Sequence, residues 1–180
     1  MTASAQALAH AVGSWFRRQR SQGRLGRASE FAKAIEPALL DCYLGGLRAN
    51  KLRKADLASI VDDAVAMARN HARDLAKILN EGTESLSYSR TAAEVFGPDR
   101  AALIGVQEDD VARQRVVALV AKAKGEMLEW VNDGKPCPVC KKLQGKRRRP
   151  GKMFMVYNGE PIYHAPLHVS CRCKTKRVQA

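Results

Sequence analysis

Aromatic residues are scarce in this chain, at 6% of the total. Alanine and leucine dominate instead, and they favour helix. No stretch approaches the ~18 consecutive apolar residues of a membrane-spanning helix, so no membrane partner is expected. There is no phosphate-cradling glycine loop and no HExxH pair, so no catalytic arrangement stands out and the protein is not expected to be an enzyme. The first residues, MTASAQALAHAVGSWFRRQR, place arginines after the apolar stretch. An export signal has the opposite order, so the expectation is an amphipathic helix and no export. Internal repeats and long low-complexity runs are also missing.

Acidic residues are nearly absent from the last quarter. Residues 133–180 carry 12 Lys/Arg against 2 acidic side chains, a net of +10 of the chain's +13. Such asymmetry points to an acidic partner, with nucleic acid the commonest. A solvated basic tail is the plainer reading. The 180 residues leave room for one ordinary domain, or for a helical domain with a small appendage.

What is present is helical periodicity. Residues 3–20 place Leu8, Val12, Trp15 and Phe16 on one face. Residues 29–48 form a second helix opened by Ser29, with Pro37 expected to kink or split it. Residues 55–80 keep a helical period from Leu57 to Leu79, with Asn80 and Gly82 marking the expected end. A shorter helix is expected over 84–95, and another from Asp99 to Ile104. The last long helix is expected over 108–131, its start favoured by Glu108, Asp109 and Asp110. That acidic run reads as a solvated helix start. His10 and His71 read as surface or interhelical residues, and Cys42 as buried filler.

After Asp133-Gly134 the texture changes to prolines, glycines, cysteines and cations. Met153 to Tyr157, Asn158-Gly159 and then Ile162-Tyr163 read as a short β-hairpin. The fold class is therefore mainly α, a helical stem over 1–132 with a small zinc-knuckle module over 133–180 that contains the hairpin.

Five cysteines is an odd number, and four of them fall in two close pairs. Cys137-Pro-Val-Cys140 is a CxxC, whose gap lets both sulfurs turn onto one ion. His168-Val-Ser-Cys171 has the same gap, and Cys171-Arg-Cys173 has a one-residue gap that also chelates. Four sulfur and imidazole ligands in a closed tetrahedron are the chemistry of structural zinc. The favoured set is Cys137, Cys140, His168 and Cys171; Cys173 in place of His168 gives the four-sulfur alternative. His164 is out of register with either pair. A thioredoxin-like redox pair or disulfides are the competing readings, but the redox reading wants CxxC at a strand-to-helix junction, and this one opens a basic tail. Lys141, Lys142, Lys146, Arg147, Arg148, Arg149 and Lys152 lie between the ligand pairs. Displayed on one loop, they would contact a partner or the phosphates of duplex DNA without base preference.

GEMLEWVNDGKPCPVCKKLQGK followed by APLHVSCRCKT resembles the C-terminal signature of the Mu F-like phage head morphogenesis family, the minor head proteins of tailed phages. Trp130, Asp133, Cys137, Cys140, Leu143, Gly145, Pro166, Leu167, His168, Cys171, Arg172 and Cys173 match its pattern in order. DRAALIGVQEDDVARQRV and HARDLAKILNEGT are similar to its preceding helices, and the resemblance covers roughly residues 65–178. Gln107 stands where the family has Thr, and Val169 where it has Pro. The resemblance implies a structural protein of the virion, present at the portal vertex of the head and in the host cytoplasm during assembly. The implied partners are phage portal and head proteins, in a multimeric setting. A stand-alone zinc-knuckle nucleic-acid binder is the alternative.

Overall fold

The computed structural model describes residues 1–22, 26–50, 52–87, 97–132, 134–166 and 171–180. Among the described residues, four long helices come first: α1 (Ala3–Gln22), α2 (Ala28–Ala49), α3 (Lys54–Ser87) and α4 (Pro98–Lys124). Short elements follow: β1 (Met127–Val131), the one-turn helix α5 (Pro138–Lys141), β2 (Arg147–Arg148), β3 (Met155–Tyr157), β4 (Glu160–Ile162) and β5 (Lys174–Val178). The mainly helical class and the small C-terminal region of antiparallel strands agree with the sequence reading.

The chain divides into two compact units. The first comprises 1–44 and 65–109, and the second 45–64 and 110–180. In the first, the Thr2 hydroxyl accepts the Ala5 amide at 3.1 Å and caps α1. Leu8, Val12, Trp15 and Phe16 are buried as their spacing requires, and Trp15 stacks on Phe31 with centroids 4.9 Å apart. Pro37 lies within α2, which runs through it between buried Ile35 and Leu39. Cys42 is buried in this unit.

Three helix ends differ from expectation. Helix α3 continues to Ser87, past Asn80 and Gly82. The Asn80 amide donates to the Gly26 carbonyl at 2.9 Å instead of capping its own helix. Most of the short helix expected over 84–95 lies outside the described residues. The helices expected over 99–104 and 108–131 are one helix, α4, with Pro98 in its first turn. Gly105 does not break it. A Cβ there would lie 2.5 Å from the Ala5 carbonyl oxygen and 2.7 Å from Ala9, so the glycine permits close approach of α1.

The acidic run is consequently inside α4 and not a solvated start. Asp109 is buried and accepts from the Thr2 hydroxyl at 2.8 Å and the Ser4 hydroxyl at 2.7 Å. Glu108 lies 2.9 Å from His71 Nε2, and Tyr43 Oη lies 3.3 Å from His71 Nδ1. An imidazole donating at Nε2 and accepting at Nδ1 satisfies both contacts. His71 is thus an interhelical residue, buried between Tyr43 and Glu108.

In the second unit, α4 stops at Lys124, seven residues short of the expected Val131. Gly125 adopts φ 67°. Its amide donates to Lys122 O at 3.3 Å, and the Glu126 amide donates to Ala121 O at 2.9 Å. This paired closure consumes the last helical carbonyls and turns the chain out. Residues 127–131 then become the central strand of an antiparallel sheet ordered β2-β1-β5. The compact unit that holds Cys137, Cys140, Cys171 and Cys173 takes in this stretch from Asp110 onward. Leu128 and Trp130 face a core shared with Ala121, Cys140, Leu143, Phe154, Ala165 and Cys173. Trp130 meets Phe154 edge-on at 5.4 Å. The expected hairpin is present: β3 pairs β4 through Tyr157↔Glu160, with Asn158 and Gly159 both at positive φ.

Candidate metal centre

Cys137 lies in extended backbone just before α5, and Pro138 occupies the first helical turn. Proline's fixed φ suits that position, and it has no amide to compete there. The Cys140 amide donates to Cys137 Sγ at 3.4 Å, so the CxxC turn folds its own donor onto its first sulfur. The Leu143 amide closes on Cys140 O at 3.0 Å. The Gly145 amide bonds Trp130 O at 2.8 Å and the Trp130 amide bonds Lys146 O at 2.9 Å, which fastens the turn to β1.

The second pair approaches along the chain entering β5. Cys171 is half-buried and Cys173 buried just ahead of β5, while Arg172 between them is exposed. Cys140, Cys171 and Cys173 offer sulfurs that all lie within 4.8 Å of one another. Cys140 Sγ and Cys171 Sγ are 3.7 Å apart, far beyond the ~2.05 Å of a disulfide bond. None of the five cysteines is joined in a disulfide. Cys173 Sγ also contacts Asn132 Oδ1 at 3.5 Å. Burial pushes the Cys140 thiol up, and its contacts with the Cys137, Cys171 and Cys173 thiols push it further.

The three clustered sulfurs are compatible with a metal site. Sulfurs about 2.3 Å from zinc in a regular tetrahedron lie about 3.8 Å from one another, close to the Cys140–Cys171 separation. Cys137 is not one of the three clustered sulfurs; it touches the group through Cys140. His168 lies outside the described residues. His164 is not among the clustered groups, and its Nδ1 contacts Ala165 O at 2.8 Å.

The seven basic residues between the ligand pairs are not displayed on one loop. Lys141 ends α5, Lys142 and Lys146 lie in the turn after it, and Arg147 and Arg148 form β2 against β1. Arg147 Nε donates to Glu129 Oε2 and Lys176 Nζ to Glu129 Oε1, each at 2.8 Å. Arg148 Nε donates to Met153 O at 3.3 Å. Lys141, Lys142, Lys146, Arg149 and Lys152 are exposed. Strand β2 formed because its backbone found an unpaired edge of β1, a long-range fact that a two-residue segment cannot advertise. Glu129 is the residue sequence reasoning missed; the alternation Leu128-Glu129-Trp130 was its signal. Hydrogen bonds from Lys176 and Arg147 hold its carboxyl below the ordinary value.

Comparison with protein-family models, with curated proteins and with solved structures gives no match.

Proposed function

We propose that this chain is a structural assembly protein whose C-terminal module is held by a zinc ion on Cys137, Cys140, Cys171 and Cys173. The separation of the Cys140 and Cys171 sulfurs carries the reading, because it suits two corners of a zinc–thiolate tetrahedron. This replaces the His168 set with the four-sulfur set. The ion would act as a staple, joining the CxxC turn to the strand entry of β5, and would supply no reaction. The test is elemental analysis of the purified chain after dialysis. One zinc per molecule is expected, retained in His168→Ala and lost in Cys173→Ser. Retention in Cys173→Ser with loss in His168→Ala overturns the ligand set. A folded module without metal overturns the site.

The assembly we propose is the head of a tailed phage, as the Mu F-like resemblance implies, with portal and head proteins as partners. The support is the metal-stapled module itself, matched by its cysteines, Trp130, Leu143 and Gly145. Mass spectrometry of purified particles tests it: the chain belongs with the heads, and its absence from them ends the reading.

The exposed cations Lys141, Lys142, Lys146, Arg149 and Lys152 support a second contact, to duplex DNA through phosphates. Binding to unrelated duplexes should then be alike and fall steeply with salt. No binding at low salt removes DNA from the proposal.

A further inference from the structure

Seven large apolar side chains are exposed among the described residues, and three of them, Met153, Val156 and Tyr163, fall on the β3–β4 hairpin and its flanks. Their exposures are 51%, 54% and 45%. The inner residues of the same hairpin, Met155, Tyr157 and Ile162, pack on the core that holds the cysteines. Val156 stands directly across from exposed Pro161. The Phe154 amide bonds Ile162 O at 2.7 Å, which puts Met153 and Tyr163 together at the open end of the same ladder. The hairpin therefore has one face spent on the core and one apolar face turned to water. Grouped exposure of this kind marks an interaction surface more often than scattered single residues do.

The border of this face is cationic. Arg148 reaches across to the Met153 carbonyl, and the turn over Arg149 to Lys152 closes through the Lys152 amide on Arg149 O at 2.9 Å. Glu160, at the hairpin tip, is the one acidic residue in 134–180. An apolar strip rimmed by arginine and lysine complements a segment carrying both apolar and acidic side chains. Nucleic acid matches the rim but not the strip, because phosphates gain nothing from Met, Val and Pro. Proline at 161 leaves β4 without an amide there, so recognition falls to side chains more than to an added strand.

We infer that the outer face of the β3–β4 hairpin, formed by Met153, Val156, Pro161 and Tyr163 and rimmed by Arg148, Arg149 and Lys152, docks an acidic, apolar segment of a partner protein. This rests on the module being metal-held and is independent of the head-protein reading. Burying two or three such side chains gives a preference of about tenfold or more over charge alone.

The test uses the full zinc-loaded chain and fluorescence anisotropy. The probe is a short labelled peptide alternating Glu with Leu. Its control alternates Glu with Ser and has the same charge. The Glu–Leu peptide should bind at least about tenfold more tightly. Val156→Ser combined with Tyr163→Ser should abolish that difference, with zinc content and Glu–Ser binding unchanged. Should that pair lose zinc, Met153→Gln with Val156→Thr serves instead. Equal affinity for the two peptides, or no effect of the variants, overturns the inference. So does a variant that weakens duplex DNA as much as peptide, which would assign the face to nucleic acid. A dimer in sedimentation that the variants dissolve would assign it to a second copy and overturn it likewise.

Discussion

The side-chain oxygen of Gln114 accepts two hydrogen bonds from Thr175, one from its amide and one from its hydroxyl, each 2.6 Å long. Both residues are buried. Thr175 pairs with Trp130 across β1, and its amide points away from that strand to the open edge of the sheet. Helix α4 therefore closes the edge of β5 with one side chain, a common need for an edge strand. Gln114→Ala leaves two buried donors without an acceptor and should cost about 1–3 kcal/mol. Urea unfolding measures it. Gln114→Glu keeps the acceptor and should retain more of the stability than Ala does.

Metal removal should act on the second unit and spare the first. The sheet and hairpin are small and lean on the cysteine cluster, while the first unit has its own helical core. The two tryptophans divide between the units, Trp15 in the first and Trp130 in the second. In Trp15→Phe, chelator should shift the emission of Trp130 to the red as the core opens. The far-UV helical signal should largely persist. Loss of the whole helical signal in one transition would show that the units unfold together.

Glu129 sets a pH dependence. Its carboxyl is held below the ordinary 4.5 by Lys176 first and Arg147 second. A lowered value in the folded state adds stability that is fully present above the unfolded value and lost as pH falls through the folded one. Glu129→Gln should therefore be less stable than the native chain at neutral pH. The gap should close as pH falls below 4.5. Both proteins share the metal site, so the difference between them isolates the carboxylate. A gap that is constant with pH would mean that packing, not charge, is what the substitution removes.

Gly105→Ala tests the close approach in the first unit. Alanine is the better helix former by about 1 kcal/mol. Its Cβ, however, would lie 2.5 Å from the backbone oxygen of Ala5, which cannot move aside as a flexible side-chain end can. The clash should win, with a net loss of about 1–3 kcal/mol in thermal unfolding.

The helices were legible because their apolar residues recur at helical spacing, as Leu8, Val12, Trp15 and Phe16 do. The hairpin was legible because Asn158-Gly159 has one common use between short apolar runs. The end of α4 was not. Met127, Leu128 and Val131 continue a helical period as well as they fit a strand, and the decision lies in Gly125 and the closure it permits. The two cysteine pairs could be read directly. Choosing between His168 and Cys173 could not be done from spacing, since both gaps chelate. That the sulfurs of Cys171 and Cys173 both approach Cys140 is a long-range fact that spacing does not carry. Gln114 gave no signal, for a glutamine on a helix is ordinary until the edge that it covers is known.

The turn over 149–152 divides the module into two incomplete parts. Before it lie β1, β2, Cys137 and Cys140; after it lie the hairpin, Cys171, Cys173 and β5. Each part owns half of the thiols and part of the core, Trp130 and Leu143 on one side, Phe154 and Ala165 on the other. The centre strand belongs to the first part and its five-residue neighbour to the second. A protease that cuts between Arg149 and Lys152 would thus release nothing. The nicked chain would stay assembled as a complementing pair of fragments, and the same point is where the module could be split into two peptides that report on each other's presence.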